Sequence, residues 1–124
     1  MKQPIVILAA IMALASPQTG FAAGDAATGQ KLFLQCRACH SVQEGAPSGV
    51  GPNLSGVVGS KAASQVKYSY SPAMAKSGIV WTTDSLNQFL TRPSALVPGT
   101  RMAFAGVVAQ KGRDDIIAYL ATLK

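Results

Sequence analysis

The sequence predicts an all-α domain, and three observations support this prediction. The chain has 124 residues, which suffices for one domain and excludes a multidomain enzyme. Beyond the N-terminal segment, no stretch shows the sustained apolar–polar alternation of half-buried strands. Four segments instead combine capping residues with helical spacing of apolar residues. We therefore expect about four short helices.

The N-terminal segment predicts a cleaved export signal. One lysine precedes an apolar run over residues 5–15, and small residues precede the expected cleavage point after Ala22. As a helix this run rises about 16 Å, which is too short for a hydrocarbon core of roughly 30 Å. The alternative is a buried N-terminal helix. We expect residues 1–22 to be a signal peptide and residues 23–124 to form a single periplasmic domain without stable membrane insertion.

The charge balance is moderately basic. Removal of the signal takes away one base and no acid, so the net charge falls from +6 to +5. The bases are spread along the chain without a block of like charges. This pattern argues against nucleic-acid binding and suggests attraction to an acidic partner surface.

The first two helices are predicted from their capping residues. Asp25 is a suitable N-cap for a helix that runs toward Cys36. Ser71 and Pro72 combine an N-cap with a proline at the first helical position, and Gly78 ends the short helix that they open.

The last two helices follow from a cap, a proline and an apolar face. Thr83 is expected to cap a third helix that must end before Pro93, since a residue preceding proline disfavours the helical conformation. The fourth helix is predicted from about Gly112 to Leu123, with Ile116, Ile117, Leu120 and Leu123 on one face.

Two long loops separate these helices, at residues 45–67 and 98–106. Loops of this length are uncommon in a small domain unless they form a site. Four short helices also bury little apolar area against the entropy of ordering about 100 residues. We therefore predict that something other than side chains fills the centre of the domain.

The central motif is Cys36-Arg37-Ala38-Cys39-His40. C-x-x-C-H is the attachment signature of c-type haem. Two thiols one helical turn apart can reach the two vinyl groups on one side of a porphyrin, and the adjoining imidazole then lies beneath the iron. The window contains both cysteines and the only histidine of the chain. We expect one haem c, attached through thioethers to Cys36 and Cys39, with His40 as an iron ligand.

Three other kinds of site could use this motif. A thioredoxin-like redox pair requires a βαβ context, which the sequence lacks. A structural zinc site requires four ligands, and no further histidine or cysteine exists. A disulfide across two residues would be strained and would leave His40 unexplained. Haem attachment is favoured over all three.

The iron either takes a sixth protein ligand, as in an electron carrier, or stays open for chemistry, as in an enzyme or gas sensor. Residues 23–124 offer two methionines as ligands, Met74 and Met102. Met74 lies in a short amphipathic helix, where a core-filling role is expected. Met102 lies in a loop without helical spacing and is the predicted ligand. A thioether opposite an imidazole raises the reduction potential, as suits an electron carrier.

Several motifs in order resemble class I c-type cytochromes, of the small soluble bacterial type similar to mitochondrial cytochrome c. The matching residues are Gly29, Phe33, 36–40, 51–54, Tyr70, 78–81, 98–106 and 117–120. The resemblance covers essentially all of residues 23–124. It implies the small cytochrome c fold, in which short helices wrap around one covalently bound haem.

The resemblance implies a soluble, monomeric one-electron carrier of a respiratory or photosynthetic chain. Its partners would be membrane redox complexes or periplasmic redox enzymes, contacted through the exposed haem edge. The alternative is a haem enzyme or gas sensor, such as a small peroxidase, with a displaceable methionine. Against this alternative, the mature chain lacks a second histidine or a spare carboxylate constellation for acid–base chemistry.

The resemblance also implies roles for individual residues. Pro52 would supply a backbone carbonyl to the ring of His40, and Tyr70 and Trp81 would donate hydrogen bonds to the haem propionates. Thr100 would lie near the same edge. The first and last helices would cross where Gly29 and Phe33 meet Tyr119 and Leu120.

The sequence departs from the family pattern in three respects. Phe89 replaces a tyrosine that usually lies near the methionine sulfur, and Ser60 replaces an arginine that often neutralises a propionate. The lysines common around the haem edge are also missing, which leaves Arg101 as the clear base there. The positions concerned hold Gln35, Gly49, Ser94, Val108 and Ala109.

Overall fold

The structure is a computed structural model that describes Ala10 and residues 24–124. The rest of the predicted signal peptide and its cleavage point lie outside the described residues. Residues 24–124 form five α-helices and one 3₁₀ helix. In chain order these are α1 Ala26–Leu32, the 3₁₀ helix Phe33–Gln35, α2 Pro72–Lys76, α3 Thr83–Thr91, α4 Pro93–Leu96 and α5 Gln110–Leu120.

The all-α prediction is confirmed. Within the described part of the chain, β pairing is limited to one isolated bridge between Lys61 and Val80. The predicted caps of the first two helices are present. The Asp25 carboxylate accepts the Ala27 N–H, and the Ser71 hydroxyl accepts the Met74 N–H.

The cap of α3 was predicted one residue too late. Thr82, and not Thr83, is the N-cap, and its hydroxyl accepts the Ser85 N–H while Ser85 bonds back to the Thr82 N–H. This reciprocal capping box satisfies two backbone donors at once, which a cap at Thr83 would not do.

Two further boundaries differ from the prediction. The short helix α4 was not predicted, because Pro93 was taken only as a stop for α3. Proline also suits the first position of a helix, and α4 begins with it. Helix α5 spans Gln110–Leu120, so it begins before Gly112 and ends before Leu123. Leu123 lies in the turn that follows, where its N–H donates to the Leu120 carbonyl.

The predicted crossing of the first and last helices is present. A Cβ at Gly29 would collide with the backbone carbonyl of Asp115, so only glycine allows α1 to approach α5 this closely. The rings of Phe33 and Tyr119 pack with centroids 5.2 Å apart. Phe33 and Ile116 are each only 1% exposed, so this crossing lies within the buried core.

A buried carboxylate holds the start of the described chain against α5. Asp115 accepts the Asp25 N–H at 2.8 Å and the Lys111 ammonium at 2.9 Å. These contacts lower the pKa of Asp115, with the Asp25 N–H as the larger cause. The carboxylate is therefore ionised at neutral pH and stabilises the α1–α5 pair.

Candidate haem site

A cavity of about 550 Å³ opens beside the α1–α5 crossing. Its volume falls within the range of about 300–1,000 Å³ typical of ligand and cofactor sites. Both long loops contribute to its wall, together with α3 and α5. All eight predicted site residues line it, namely Cys36, Cys39, His40, Pro52, Tyr70, Trp81, Thr100 and Met102.

The two cysteines are presented by one helical turn. The Cys36 N–H donates to Phe33, and the N–H groups of Cys39 and His40 both donate to the Cys36 carbonyl, at 3.1 and 3.0 Å. The two sulfurs are not joined to each other by a disulfide. Burial, and secondarily the neighbouring Cys39, raises the pKa of Cys36. Before haem attachment the Cys36 sulfur is therefore held as a thiol, and addition of its S–H across a vinyl group of the porphyrin would give the thioether.

The ring of His40 is fixed in orientation. Its Nδ1 lies 2.7 Å from the Pro52 carbonyl oxygen, which accepts the Nδ1 proton. Burial lowers the pKa of His40, and the Pro52 carbonyl opposes this effect only in part. The imidazole is thus neutral at pH 7, with the Nε2 lone pair free to bind a metal. A Cβ at Gly51 would press against the ring, so the chain passes His40 where only glycine fits.

Sequence reasoning missed the residues that support Pro52. Asn53 is only 5% exposed, and its side-chain amide donates to the carbonyls of Gln43 and Ala46 at 2.8 and 2.9 Å. Its backbone N–H donates to the Ser48 hydroxyl at 2.9 Å. These bonds lie within an irregular loop and leave no periodic signal. An asparagine directly after the Gly51-Pro52 pair was the only available hint.

The segment that carries Met102 is tied to the loop before α2. The Met102 N–H donates to the Thr100 hydroxyl at 3.3 Å. The Arg101 guanidinium donates to the carbonyls of Ser69 and Tyr70 at 3.1 and 2.8 Å. Arg101, the base that the sequence places at the haem edge, therefore also anchors the start of the loop 98–106 that carries Met102 (the methionine loop).

The end of this loop is held against α3. The Val107 N–H donates to the Leu90 carbonyl at 2.8 Å. Gly106 adopts a φ of +119°, and a Cβ there would collide with the Thr91 carbonyl. Glycine is therefore required where the loop meets the helix.

A second arginine holds the same end of the loop from inside the fold. Arg113 is only 8% exposed, although by composition it counts among the scattered bases. Its guanidinium donates to the carbonyls of Val107 and Val108 and to the side chains of Asn87 and Gln110, at 2.7–2.8 Å. Every acceptor is neutral, so this buried cation is stabilised by hydrogen bonds alone.

Met74 lines the same cavity as Met102. It is half-buried, lies on α2 and packs against the hydrophobic core. Both thioethers are thus within the wall of the cavity, and the loop position of Met102 distinguishes it from the helical Met74.

The aromatic residues implied as propionate donors also form part of the cavity wall. Tyr70 accepts the Gln65 N–H on its hydroxyl at 3.1 Å, and burial raises its pKa, so the hydroxyl keeps its proton. Trp81 is buried and packs on Phe89 with ring centroids 5.0 Å apart. Phe89 brings no hydroxyl to the cavity, and the Ser60 hydroxyl donates to the Val57 carbonyl.

The chemistry of this wall fits a covalently bound haem. Apolar side chains supply most of the surface, including Phe33, Leu86, Leu90, Ile116 and Leu120. A neutral imidazole and a thioether are ligands that would hold the iron of such a haem, and two cysteines one turn apart match the attachment chemistry. The fold and the site together define a protein that holds a covalent haem inside a small helical domain.

Comparison with known proteins agrees with this class. The family model for cytochrome c matches residues 26–124. The chain is 46% identical to cytochrome c2 of Rhodomicrobium vannielii over 110 residues, which cover 89% of this chain and 88% of the relative. It is 52% identical to cytochrome c of Euglena viridis over 103 residues, covering 82% and 99% of the two chains.

A solved structure shows the same fold. Cytochrome cH from Methylobacterium extorquens superimposes with a TM-score of 0.76 at 49% identity, over 80% of this chain and 99% of that one. The chain belongs to the cytochrome c family. It binds haem c covalently through its C-x-x-C-H motif and carries electrons in a respiratory or photosynthetic chain.

Two features are absent from the described residues. No helix within them has the length and apolar character needed to cross a membrane. No cluster of three or more histidine, cysteine or acidic side chains forms a second metal site there.

Proposed function

We propose that this cytochrome transfers single electrons through an iron bound by His40 Nε2 and Met102 Sδ, with Cys36 and Cys39 as the thioether attachments. The bound haem supplies the ferric–ferrous couple. The observation that supports this assignment best is the 2.7 Å contact between His40 Nδ1 and the Pro52 carbonyl, because it leaves Nε2 unprotonated and directed by a fixed ring.

The side chains around the cavity favour a carrier over an enzyme. Among the residues that the structure describes, no carboxylate lines the cavity. The one histidine is engaged with Pro52, and the nearby side chains of Lys61 and Arg101 offer hydrogen-bond donors only. A peroxidase-type reaction would need a positioned acid or base, which this wall does not supply.

The exposed side of the site is the proposed route for electrons. Cys39, Arg101 and Ala103 line the cavity and are also exposed, so they mark its accessible edge. A carrier that docks there needs only a small, short-lived interface. Membrane redox complexes and periplasmic redox enzymes are the proposed partners.

The proposed location is the periplasm. The three-part pattern of residues 1–22 supports export, and relatives named cytochrome c2 support the same assignment.

Visible spectra of the purified holoprotein test the proposed ligation. We expect the oxidised and reduced spectra of an iron with two protein ligands, and no spectral change on addition of carbon monoxide. Rapid carbon monoxide binding by the unaltered ferrous protein would favour the enzyme or gas-sensor alternative.

A further inference from the structure

The peptide bond between Pro52 and Asn53 is held at both of its polar groups. Its carbonyl oxygen lies 2.7 Å from His40 Nδ1, and its N–H donates to the Ser48 hydroxyl at 2.9 Å. A peptide unit is planar, so these two bonds on opposite sides fix one rotation of the whole unit. The direction in which the carbonyl meets the imidazole therefore depends on Ser48.

Asn53 fixes the loop in which this peptide lies. Its buried side-chain amide donates hydrogen bonds to the carbonyls of Gln43 and Ala46, and its side-chain oxygen accepts the Ser55 N–H at 2.8 Å. All polar groups of the Asn53 side chain are thus engaged within the segment 43–55. The Cα of Asn53 is therefore held in place. The Pro52–Asn53 peptide could still rotate, and the bond to Ser48 prevents this rotation.

We propose that Ser48 is a positioning residue for His40, acting through the Pro52–Asn53 peptide. Ser48 does not line the haem cavity, so its influence must pass through the peptide. The inference rests on the proposed ligation of iron by His40. No contact of Ser48 with haem or with Met102 is involved.

The hydroxyl of Ser48 has two effects on the imidazole. It aligns the carbonyl with the Nδ1–H bond. It also polarises the amide, because hydrogen bonds in a chain strengthen one another, so the carbonyl becomes a better acceptor. A stronger bond at Nδ1 makes the ligand more basic and stabilises the ferric state. Loss of the hydroxyl should therefore raise the reduction potential.

Three variants separate this role from general loosening of the loop. Ser48→Ala removes the acceptor, and Ser48→Thr keeps a hydroxyl at the same position. Ser41→Ala is the matched control, since the half-buried Ser41 also makes one hydroxyl bond in this loop, to the Pro47 carbonyl at 2.8 Å. That bond does not touch the Pro52–Asn53 peptide.

Hydrogen exchange of the His40 Nδ1–H, followed by NMR in the reduced holoprotein, is the primary measurement. We expect exchange in Ser48→Ala to be about fivefold faster than in the unaltered protein, equivalent to about 1 kcal/mol, the contribution of one ordinary hydrogen bond. The reduction potential should rise in the same variant. Ser48→Thr should restore both values, and Ser41→Ala should leave both near those of the unaltered protein.

Two results would overturn the positioning role while leaving the proposed ligation intact. One is unchanged exchange and potential in Ser48→Ala, and the other is an equal change in Ser48→Ala and Ser41→Ala. If the unaltered protein itself lacks histidine ligation in its spectrum, the proposed function fails, and this inference fails with it. The spectrum of the unaltered protein thus distinguishes the two failures.

Discussion

The buried guanidinium of Arg113 donates to the Val107 carbonyl at 2.7 Å and so joins α5 to the loop that carries Met102. A second bond from the same nitrogen reaches the Val108 carbonyl at 2.8 Å. The loop is thereby held at its end from the interior, while Arg101 holds its start from the surface. Both ends are restrained around the proposed ligand.

Replacement of Arg113 by leucine should lower the free energy of unfolding by about 2 kcal/mol. The Val107 and Val108 carbonyls would lose their partner in a buried setting, and an unsatisfied buried acceptor costs about 1–3 kcal/mol. Guanidinium chloride unfolding of the holoprotein measures the loss. The control is Arg92→Leu, which changes the same charge at an exposed position. An equal loss in both variants would contradict the interior role of Arg113.

Replacement of Met102 by alanine should open the iron, whereas replacement of Met74 should not. Both side chains line the cavity, so the two variants remove the same group from the same wall. We expect Met102→Ala to lower the reduction potential and to bind carbon monoxide, because the thioether that stabilises the ferrous state is lost. Met74→Ala should keep the visible spectrum of the unaltered protein, and only its stability should fall, because side-chain packing is lost. The opposite pattern would identify Met74 as the ligand.

These results indicate which features a sequence can predict. Asp25, Ser71 and Gly78 act within one turn of their own helix, so their roles are readable from neighbouring residues. The C-x-x-C-H motif is equally local. Arg113 could not be identified in this way, because its burial depends on carbonyls that reach it only after the loop folds back onto α5.

The loop after His40 shows the same limit. The bonds of Asn53 and Ser48 join residues five to ten positions apart without any repeating pattern. The second function of Pro93, as the start of α4, depends on the extended conformation of Arg92 before it. Thr82 and Ser85 had the spacing of a capping box, but serine is a less common partner than glutamate at that position.

Replacement of Ala63 by glycine should stabilise the protein. Ala63 is the one residue other than glycine with a positive φ in the described chain, at 62°. The left-handed region costs an L-residue about 1–2 kcal/mol, and the greater freedom of an unfolded glycine offsets part of the gain. We expect a net increase of about 0.5–1 kcal/mol in thermal unfolding experiments. The neighbouring Ala62→Gly lacks the strain, so it should destabilise, and an increase there would show that strain is not the cause.

Asp115 should determine part of the acid sensitivity of the fold. Its pKa is lowered from the ordinary value of 3.8, first by the Asp25 N–H and then by Lys111. A carboxylate with a lowered folded-state pKa stabilises the fold above about pH 4, and this stabilisation is lost as the pH falls through the lowered pKa. Asp115→Asn should therefore be less stable at neutral pH, and its stability should fall less steeply below about pH 4.

Unfolding by guanidinium chloride at a series of pH values measures this difference. The control is Asp114→Asn, which removes the adjacent carboxylate. Asp114 accepts from Gln110 and makes no bond to Asp25. An acid profile of Asp115→Asn that matches that of the unaltered protein would rule out Asp115 as a source of the acid sensitivity.

The exposed apolar residues Ala103, Val108 and Ala109 follow Met102 in the chain and are the candidate docking patch. Val108 is 97% exposed, although Arg113 fixes its backbone, so its side chain is presented to solvent at low entropic cost. The bases are dispersed, and exposed charges more than about 10 Å apart are screened at 0.1 M salt. We therefore expect contact at this patch to contribute more to electron transfer than long-range attraction does.

Stopped-flow transfer to a purified cytochrome c oxidase tests this expectation with three variants. Val108→Asp should slow transfer more than Lys124→Ala, which removes an exposed base at the chain end. Val66→Asp is the matched control, because it adds the same charge at a residue 95% exposed on another loop, and it should have a small effect. The salt dependence of the unaltered protein should be shallower than that of a lysine-rich family member. Equal losses in Val108→Asp and Val66→Asp, or an equally steep salt dependence, would mean that charge and not the apolar patch governs association.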